Sequence, residues 1–217
     1  MLLPTVYMHF KSRESRSRFV ADRFKEYLTE SVLDVGCYEA PLRDLLPSVS
    51  YIGVDFAGKP DIHLDLDQAG RLPFRDASFT AVLCIDALEH LENLHAMFDE
   101  LVRVSRRYVI VSLPNCWCDA RRPIARGKGK FGHYGLPLCR PDDRHRWFFN
   151  LTEAQYYVQG KARERGLGLR ELFVTEKPRN VLLRWARHLR YPGARYQNRY
   201  SQTLWAVLEK NTAQAPA

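Results

Sequence analysis

From residue 31 to residue 114 short apolar runs alternate with helical segments, and that alternation leaves the chain few architectures. The runs are SVLDVG (31–36), YIGVDF (51–56), DIHLDL (61–66), TAVLCID (80–86) and RYVIVSLP (107–114). APLRDLLP (40–47) and NLHAMFDELVRVS (93–105) read as helices between them. Strands separated by helices predict a parallel, doubly wound α/β sheet. LRELFVTE (169–176) and TLWAVLEK (203–210) are two final strands. Residues 12–29 form a helix ahead of the sheet, with Phe19, Val20, Phe24 and Leu28 on one apolar face. LTEAQYYVQGKARERG (151–166) is a further helix, capped by Asn150 or Thr152 with Glu153 in its first turn.

The chain divides into an N-terminal helical segment (1–30), one α/β domain (31–210) and a small polar tail (211–217) expected to be disordered. Two basic insertions break the alternation, 115–150 and 176–201. The first reads as one long irregular loop, and loops of that length usually carry function or are disordered. Charge divides in the same way. Residues 31–102 hold four Lys/Arg against thirteen Asp/Glu, and residues 103–200 hold twenty-two against seven. An acidic half suits a polar or cationic cofactor and a basic half an anionic partner; solvated surface is the plain alternative.

No apolar run approaches the ~20 residues of a membrane span. MLLPTVYMHF lacks the basic flank and cleavage site of a signal peptide. Five cysteines, an odd and modest count, fit a reducing compartment, so a cytoplasmic protein, in peripheral contact with a membrane as a further option, is expected.

Three motifs in order carry a resemblance. VLDVGCYEA (32–40) reads as strand and turn, with Gly36 where backbone must pass closely. YIGVDF ends on Asp55, about where dinucleotide folds place a ribose-binding acid. DLDQAGRLPFRDASFTAVLC (65–84) follows. Together they resemble the class I S-adenosylmethionine-dependent methyltransferases, well over about 31–115 and loosely beyond. The resemblance implies a Rossmann-like, mostly parallel sheet with a reversed last strand, and S-adenosyl-L-methionine as cofactor. By the same resemblance Asp34, Gly36, Tyr38, Glu39 and Asp86 lie around the cofactor. Asp55 takes its ribose hydroxyls, and Asp65 and Leu66 flank the adenine. Tyr38 and Ala40 stand where the family usually has glycines, and Thr80 where it usually has Asp. A methionine-type cofactor brings no pyrophosphate, so the need for a glycine-rich loop is weaker than in a dinucleotide site.

Methyl transfer needs an acceptor aligned with the methyl carbon, and a hydroxyl acceptor gains from a base. His145 and then His90 are the candidate catalytic bases. DALEH (86–90) and DRHRW (143–147) are also similar to the small-RNA 3′-terminal 2′-O-methyltransferases, in which such side chains bind a divalent ion; here those would be Asp86, Glu89, His90 and His145. The preferred reading has no metal: Glu89 caps a helix and His90 packs beside the cofactor. Cys116, Cys118, His133 and Cys139 raise zinc, but Cys-x-Cys is tighter than usual structural spacing, and reduced loop thiols are preferred. GLP…DRHRW resembles methyltransferases of surface-polysaccharide and sugar-lipid biosynthesis. The expectation is therefore O-methylation of an anionic sugar or glycan-lipid acceptor. Alternatives are a metal-using RNA 2′-O-methyltransferase and a non-catalytic binding module.

VLLRWARHLRYPGARYQNRY (181–200) interleaves arginine with Trp and Tyr. It could meet nucleic acid, lie on an anionic membrane, or act as a lid whose apolar face covers the sheet while its arginines are solvated. Membrane-surface contact through 180–200 is a named expectation, with nucleic acid the lesser one.

Overall fold

The computed structural model describes residues 2–139, 141 and 143–211. Eight strands form one mixed sheet in the order β1-β7-β8-β6-β5-β2-β3-β4. The expected parallel set is present: β2 (Ser31–Val35), β3 (Ser50–Asp55), β5 (Phe79–Ile85) and β6 (Ser105–Pro114) pair in parallel. β8 (Ser201–Lys210) runs antiparallel between β6 and β7 (Leu167–Glu176), the reversed last strand. β7 therefore ends at the same edge of the sheet as β2, β3, β5 and β6.

Alternate residues of the central strands feed two cores, as the two-residue period requires. On one face Leu33, Val35, Val82 and Cys84 pack with α2 (Leu94–Val104) and α4 (Leu151–Glu164). On the other Val32, Ala81 and Leu83 join Phe19, Val20 and Phe24 of α1 (Arg13–Arg23) and its C-terminal turn. That second core is aromatic, with Phe173 and Trp205 stacked at 6.3 Å and 7°. α4 starts on the expected cap: Asn150 Oδ1 accepts from the Thr152 and Glu153 amides, and Glu153 accepts from the Asn150 amide.

Several expectations need correction. APLRDLLP is not a helix; only a 3-10 turn, Arg43–Leu45, forms there. Ala40 has φ +49 and Pro41 and Pro47 bracket the segment, which leaves no room for a regular turn series. α1 covers that face instead, with Val20 and Leu42 in one core. α1 ends at Arg23, although Leu28 stays buried. DIHLDL supplies only the two-residue β4 (Ile62–His63). The N-terminal segment adds an edge strand, β1 (Thr5–Tyr7), parallel to β7. Residues 115–150 are not wholly irregular, because Cys116–Arg126 is a helix, α3, closed by Gly127 at φ +61. The basic stretch after β7 is two helices, α5 (Val181–Arg190) and α6 (Ala194–Tyr200). The polar tail from 212 lies outside the described residues.

Asn115 ties these additions to the sheet. Fully buried after β6, it donates from Nδ2 to the carbonyls of Asn198 (2.9 Å) and Ser201 (2.7 Å), locking the end of α6 to the strand edge.

Candidate active site

The loop after β2 is built around backbone conformation. Gly36 has φ +85, and a Cβ there would lie 2.5 Å from Cβ of Ala87, so the loop after β5 closes on it. Tyr38 and Ala40 take φ +51 and +49 without being glycine. The chain thus keeps a glycine conformation at the two positions where glycine is missing. Each left-handed residue costs about 1–2 kcal/mol, and the surroundings offset it. The Arg13 guanidinium stacks 4.3 Å over the Tyr38 ring, the Tyr38 carbonyl accepts from the Lys59 amide (2.8 Å), and Ala40 is buried.

Asp34, one residue before the end of β2, and Asp55, the last residue of β3, are both buried. The Tyr51 hydroxyl donates to Asp34 at 2.7 Å. Burial nevertheless pushes the Asp34 carboxyl up to about 6, with the nearby Asp55 charge adding to the rise. Asp55 accepts from the amides of Tyr38 (2.8 Å) and Ala57 (3.1 Å), which fixes its orientation and leaves lone pairs for further donors. Glu39 is more open, with Lys59 Nζ at 3.6 Å. Asp65 is exposed and accepts from the Asp67 amide of its own turn (2.9 Å), while Leu66 belongs to the core.

A cleft opens between the β2 loop and α1, lined by Arg13, Arg16 and Ser17 together with Asp34, Gly36 and Cys37. The α1 arginines were not foreseen from sequence. Their only local signal is the spacing Arg13-x-x-Arg16-Ser17, which turns polar side chains to one side of a helix whose other side carries Phe19 and Val20. Arg16 pairs with Asp86 at 2.5 Å, and Asp86 also accepts from the Ser112 hydroxyl at 2.5 Å. Asp86 thus stands beside the cleft, paired with its lining residue Arg16.

Three residues further on, the chemistry changes. Glu89, His90 and His145 bring one ligand atom each within 4.8 Å of one another. The loop after α3 supplies the rest of the cluster. The His133 ring stacks on His145 at 4.3 Å, and Asp143 lies 3.0 Å from His90 Nδ1. The amide of Arg146 donates to the Glu89 carbonyl (2.8 Å) and Trp147 Nε1 to the Leu91 carbonyl (2.7 Å), so the loop is zipped onto the turn that carries Glu89. The Tyr134 hydroxyl sits 2.8 Å from His145 Nδ1 and 2.7 Å from Cys116 Sγ.

Burial raises the Glu89 carboxyl well above its usual range, and the Asp86 charge adds to it. His145 is pushed down to about 3 by burial and by His90 and His133. His90 is also lowered by burial, with Asp143 opposing. Glu89 is 1% exposed and its Oε2 has no hydrogen-bond partner. The other oxygen, Oε1, faces the imidazoles, 3.7 Å from His90 Nε2 and 4.0 Å from His145 Nε2, and Glu89 caps neither adjoining helix. Glu89, His90 and His145 therefore form a candidate ligand set, and Asp86, committed to Arg16, stays outside it. The cysteine reading does not gain: among the described residues Glu89, His90 and His145 are the only group with metal-ligand spacing, and Cys139 is exposed. Thr80 is structural, its amide bonded to Ser31 Oγ at 3.0 Å.

A family described as Methyltransferase domain matches residues 33–111. No curated protein matches the chain in sequence. Among solved structures, the chain is similar to a SAM-dependent methyltransferase from Archaeoglobus fulgidus (TM-score 0.54, 15% identity, 93% of this chain and 96% of that one). It is similar to magnesium protoporphyrin IX methyltransferase (ChlM) from Synechocystis with bound SAH (TM-score 0.51, 16% identity, 89% of this chain and 82% of that one). It also resembles small RNA methyltransferase HEN1, with TM-score 0.59 and 16% identity over 94% of this chain and 26% of that one.

Proposed function

We propose, from the premise that the chain is a class I S-adenosylmethionine-dependent methyltransferase, that it methylates a hydroxyl oxygen of an anionic, polyhydroxylated acceptor of the sugar or glycan-lipid class. The observation that carries the oxygen assignment is the Glu89–His90–His145 cluster, three residues of chain beyond Asp86 beside the cofactor cleft.

The cofactor residues fit the group. S-adenosylmethionine supplies an activated methyl on a sulfonium. Asp34, once ionised, would pair with the ammonium of its methionine end, in a cleft that Arg13 and Arg16 also line. Asp55, held by two backbone amides, accepts from the ribose hydroxyls. Gly36 keeps the loop low over the strand end. The segment 145–147, zipped onto the Glu89 turn, leaves His145 only 9% exposed.

Two chemistries are open to the cluster. His90, whose imidazole Asp143 supports, accepts the acceptor's proton more readily than His145, whose protonated form burial and two neighbouring histidines disfavour. Alternatively Glu89, His90 and His145 hold a divalent cation, which when bound favours an ionised hydroxyl. The orphaned Glu89 Oε2 favours that second route. It also keeps a second acceptor in view, the terminal ribose of an RNA, as the likeness to a small RNA methyltransferase suggests. Both acceptors present hydroxyl groups beside negative charge, which the basic half of the chain complements.

Transfer of labelled methyl from S-adenosylmethionine into glycan-lipid and RNA fractions, with and without a chelator, tests the reading. Label in glycan-lipid supports it, and chelator-sensitive label in RNA replaces the acceptor. Binding of the cofactor with no transfer to any fraction leaves a non-catalytic module.

A further inference from the structure

Helix α5 is amphipathic the wrong way round for a surface helix. A ten-residue helix on a soluble domain normally turns its apolar stripe to the core. In α5 no residue is buried. The half-covered positions are Arg184, Arg187 and His188, and the exposed ones include Leu182, Trp185, Ala186 and Leu189, spaced i, i+3, i+4, i+7. Leu182 is 76% exposed, Trp185 63% and Leu189 64%.

The inward polar face packs on aromatic rings of the fold, although Arg184 Nε has no hydrogen-bond partner. Arg184 stacks 4.0 Å over Tyr7 of β1 and Arg187 4.5 Å over Tyr200 of α6. His188 stacks on Tyr196 at 10°, and the Tyr196 hydroxyl donates to the buried Glu176 at 2.7 Å. These contacts fix the helix with its apolar stripe outward, which corrects the lid expectation in which that stripe covers the sheet. A single exposed leucine needs no explanation, but an ordered stripe with a tryptophan does.

Charge identifies the partner. Residues 177–200 contain seven Lys/Arg and no Asp or Glu. Arg179, Arg190 and Arg195 are exposed at the two ends of the stripe. A second copy of this face would bring like charges together. A nucleic acid would meet leucines where it needs cations, since Arg184 and Arg187 are turned inward onto tyrosines. A surface that is apolar inside and negative outside suits both features. Trp185 suits the headgroup level, where an amphipathic ring keeps its N–H wet.

We infer that α5 is an interfacial docking helix that lies flat on an anionic lipid bilayer, Leu182, Trp185 and Leu189 entering the acyl boundary and the flanking arginines meeting anionic headgroups. α5 follows the C-terminal end of β7, the sheet edge that carries the cofactor cleft. Docking therefore sets that edge against the membrane. The inference does not depend on the proposed reaction, because bilayer binding needs neither cofactor nor acceptor.

Co-sedimentation of the whole protein with phosphatidylcholine vesicles and with phosphatidylcholine–phosphatidylglycerol vesicles tests it. Binding to the mixed vesicles only, weakened by salt, is expected. Leu182→Ser with Leu189→Ser lowers it about ten-fold or more, while circular dichroism and cofactor affinity stay unchanged. Arg190→Glu with Arg195→Glu gives a second, charge-based loss should the serine variant fold poorly. No binding to mixed vesicles at low salt overturns the inference, as does wild-type-level binding by both variants. A dimer in sedimentation equilibrium that the serine pair dissolves reassigns the face to a second copy. RNA oligonucleotide binding that survives the serine pair, with no vesicle binding, reassigns it to nucleic acid.

Discussion

The two halves of the molecule reach the same sheet edge by different means. In residues 31–86 the site is made of strand ends: Asp34 is the penultimate residue of β2, Asp55 closes β3, and Gly36 lets the next loop pass within contact of Ala87. In residues 115–200 the site is made of inserted chain. A loop crosses back to Glu89, and two helices are held by Asn115 and by arginine–tyrosine stacks. The first half is net acidic and matches a family, and the second is net basic and lies wholly outside that match. A strand end has one geometry for a given register, so its residues can be shared by chains of low identity. An insertion has no such template, and its side chains are free to follow the acceptor.

If that contrast is right, damage to a strand end removes the cofactor, and damage to the insertion removes transfer while the cofactor still binds. Gly36→Val gives the largest effect. The new side chain collides with Ala87 and cannot take φ +85, so cofactor affinity in calorimetry falls about 100-fold or the domain loses several kcal/mol of stability. Cofactor binding at full strength in this variant would break the strand-end account. Glu89→Gln comes next. Manganese affinity and methyl transfer fall about ten- to a hundred-fold while cofactor affinity stays within about two-fold. Unchanged ion binding removes the cation and leaves His90 as the base.

The pH dependence is a smaller and more specific test. The Asp34 carboxyl is raised to about 6 in the fold, so below that pH it is neutral and cannot pair with an ammonium. Cofactor affinity should rise by up to about ten-fold per pH unit below 6 and level off above it. Asp34→Asn flattens that profile. For folding the sign is opposite: between about 3.8 and about 6 the native carboxyl holds its proton longer than the unfolded one, so this group's contribution to stability is lost as pH rises through that window. His145, depressed to about 3, contributes stability that is lost as pH falls below 6.5. His145→Gln should reduce acid sensitivity in thermal melts.

The smallest effect belongs to Tyr38. Tyr38→Gly relieves a left-handed residue but gives up the Arg13 stack, two contributions of about 1 kcal/mol and opposite sign. Stability should move by less than about 1 kcal/mol and cofactor affinity by less than about three-fold. Tyr38→Val, which cannot adopt φ +51 cheaply, should cost about 2 kcal/mol. Equal behaviour of the two variants would show that conformation at this position does not matter.

Much of this was legible in the sequence where the chain is locally determined. The strand runs, the Asn150 cap and the carboxylates at strand ends follow from alternation, capping chemistry and spacing. The missing glycines misled only in part, because Tyr38 and Ala40 take up glycine's conformation under restraint by Arg13, Lys59 and burial, none of which is visible from composition. The helix expected at 40–47 failed because α1, from the other end of the motif, already covers that face.

The strand runs, the order of acidic positions along them and the segregation of charge were legible from the residues alone, since each is a local property of the chain. Tertiary structure alone decided three things. It brought Arg16 to Asp86, seventy residues away. It gathered Glu89, His90 and His145 into one cluster. It turned the arginines of α5 inward and its leucines out. In each case the deciding energy is a contact between distant segments, and an amphipathic pattern specifies two faces without saying which one the rest of the protein will cover.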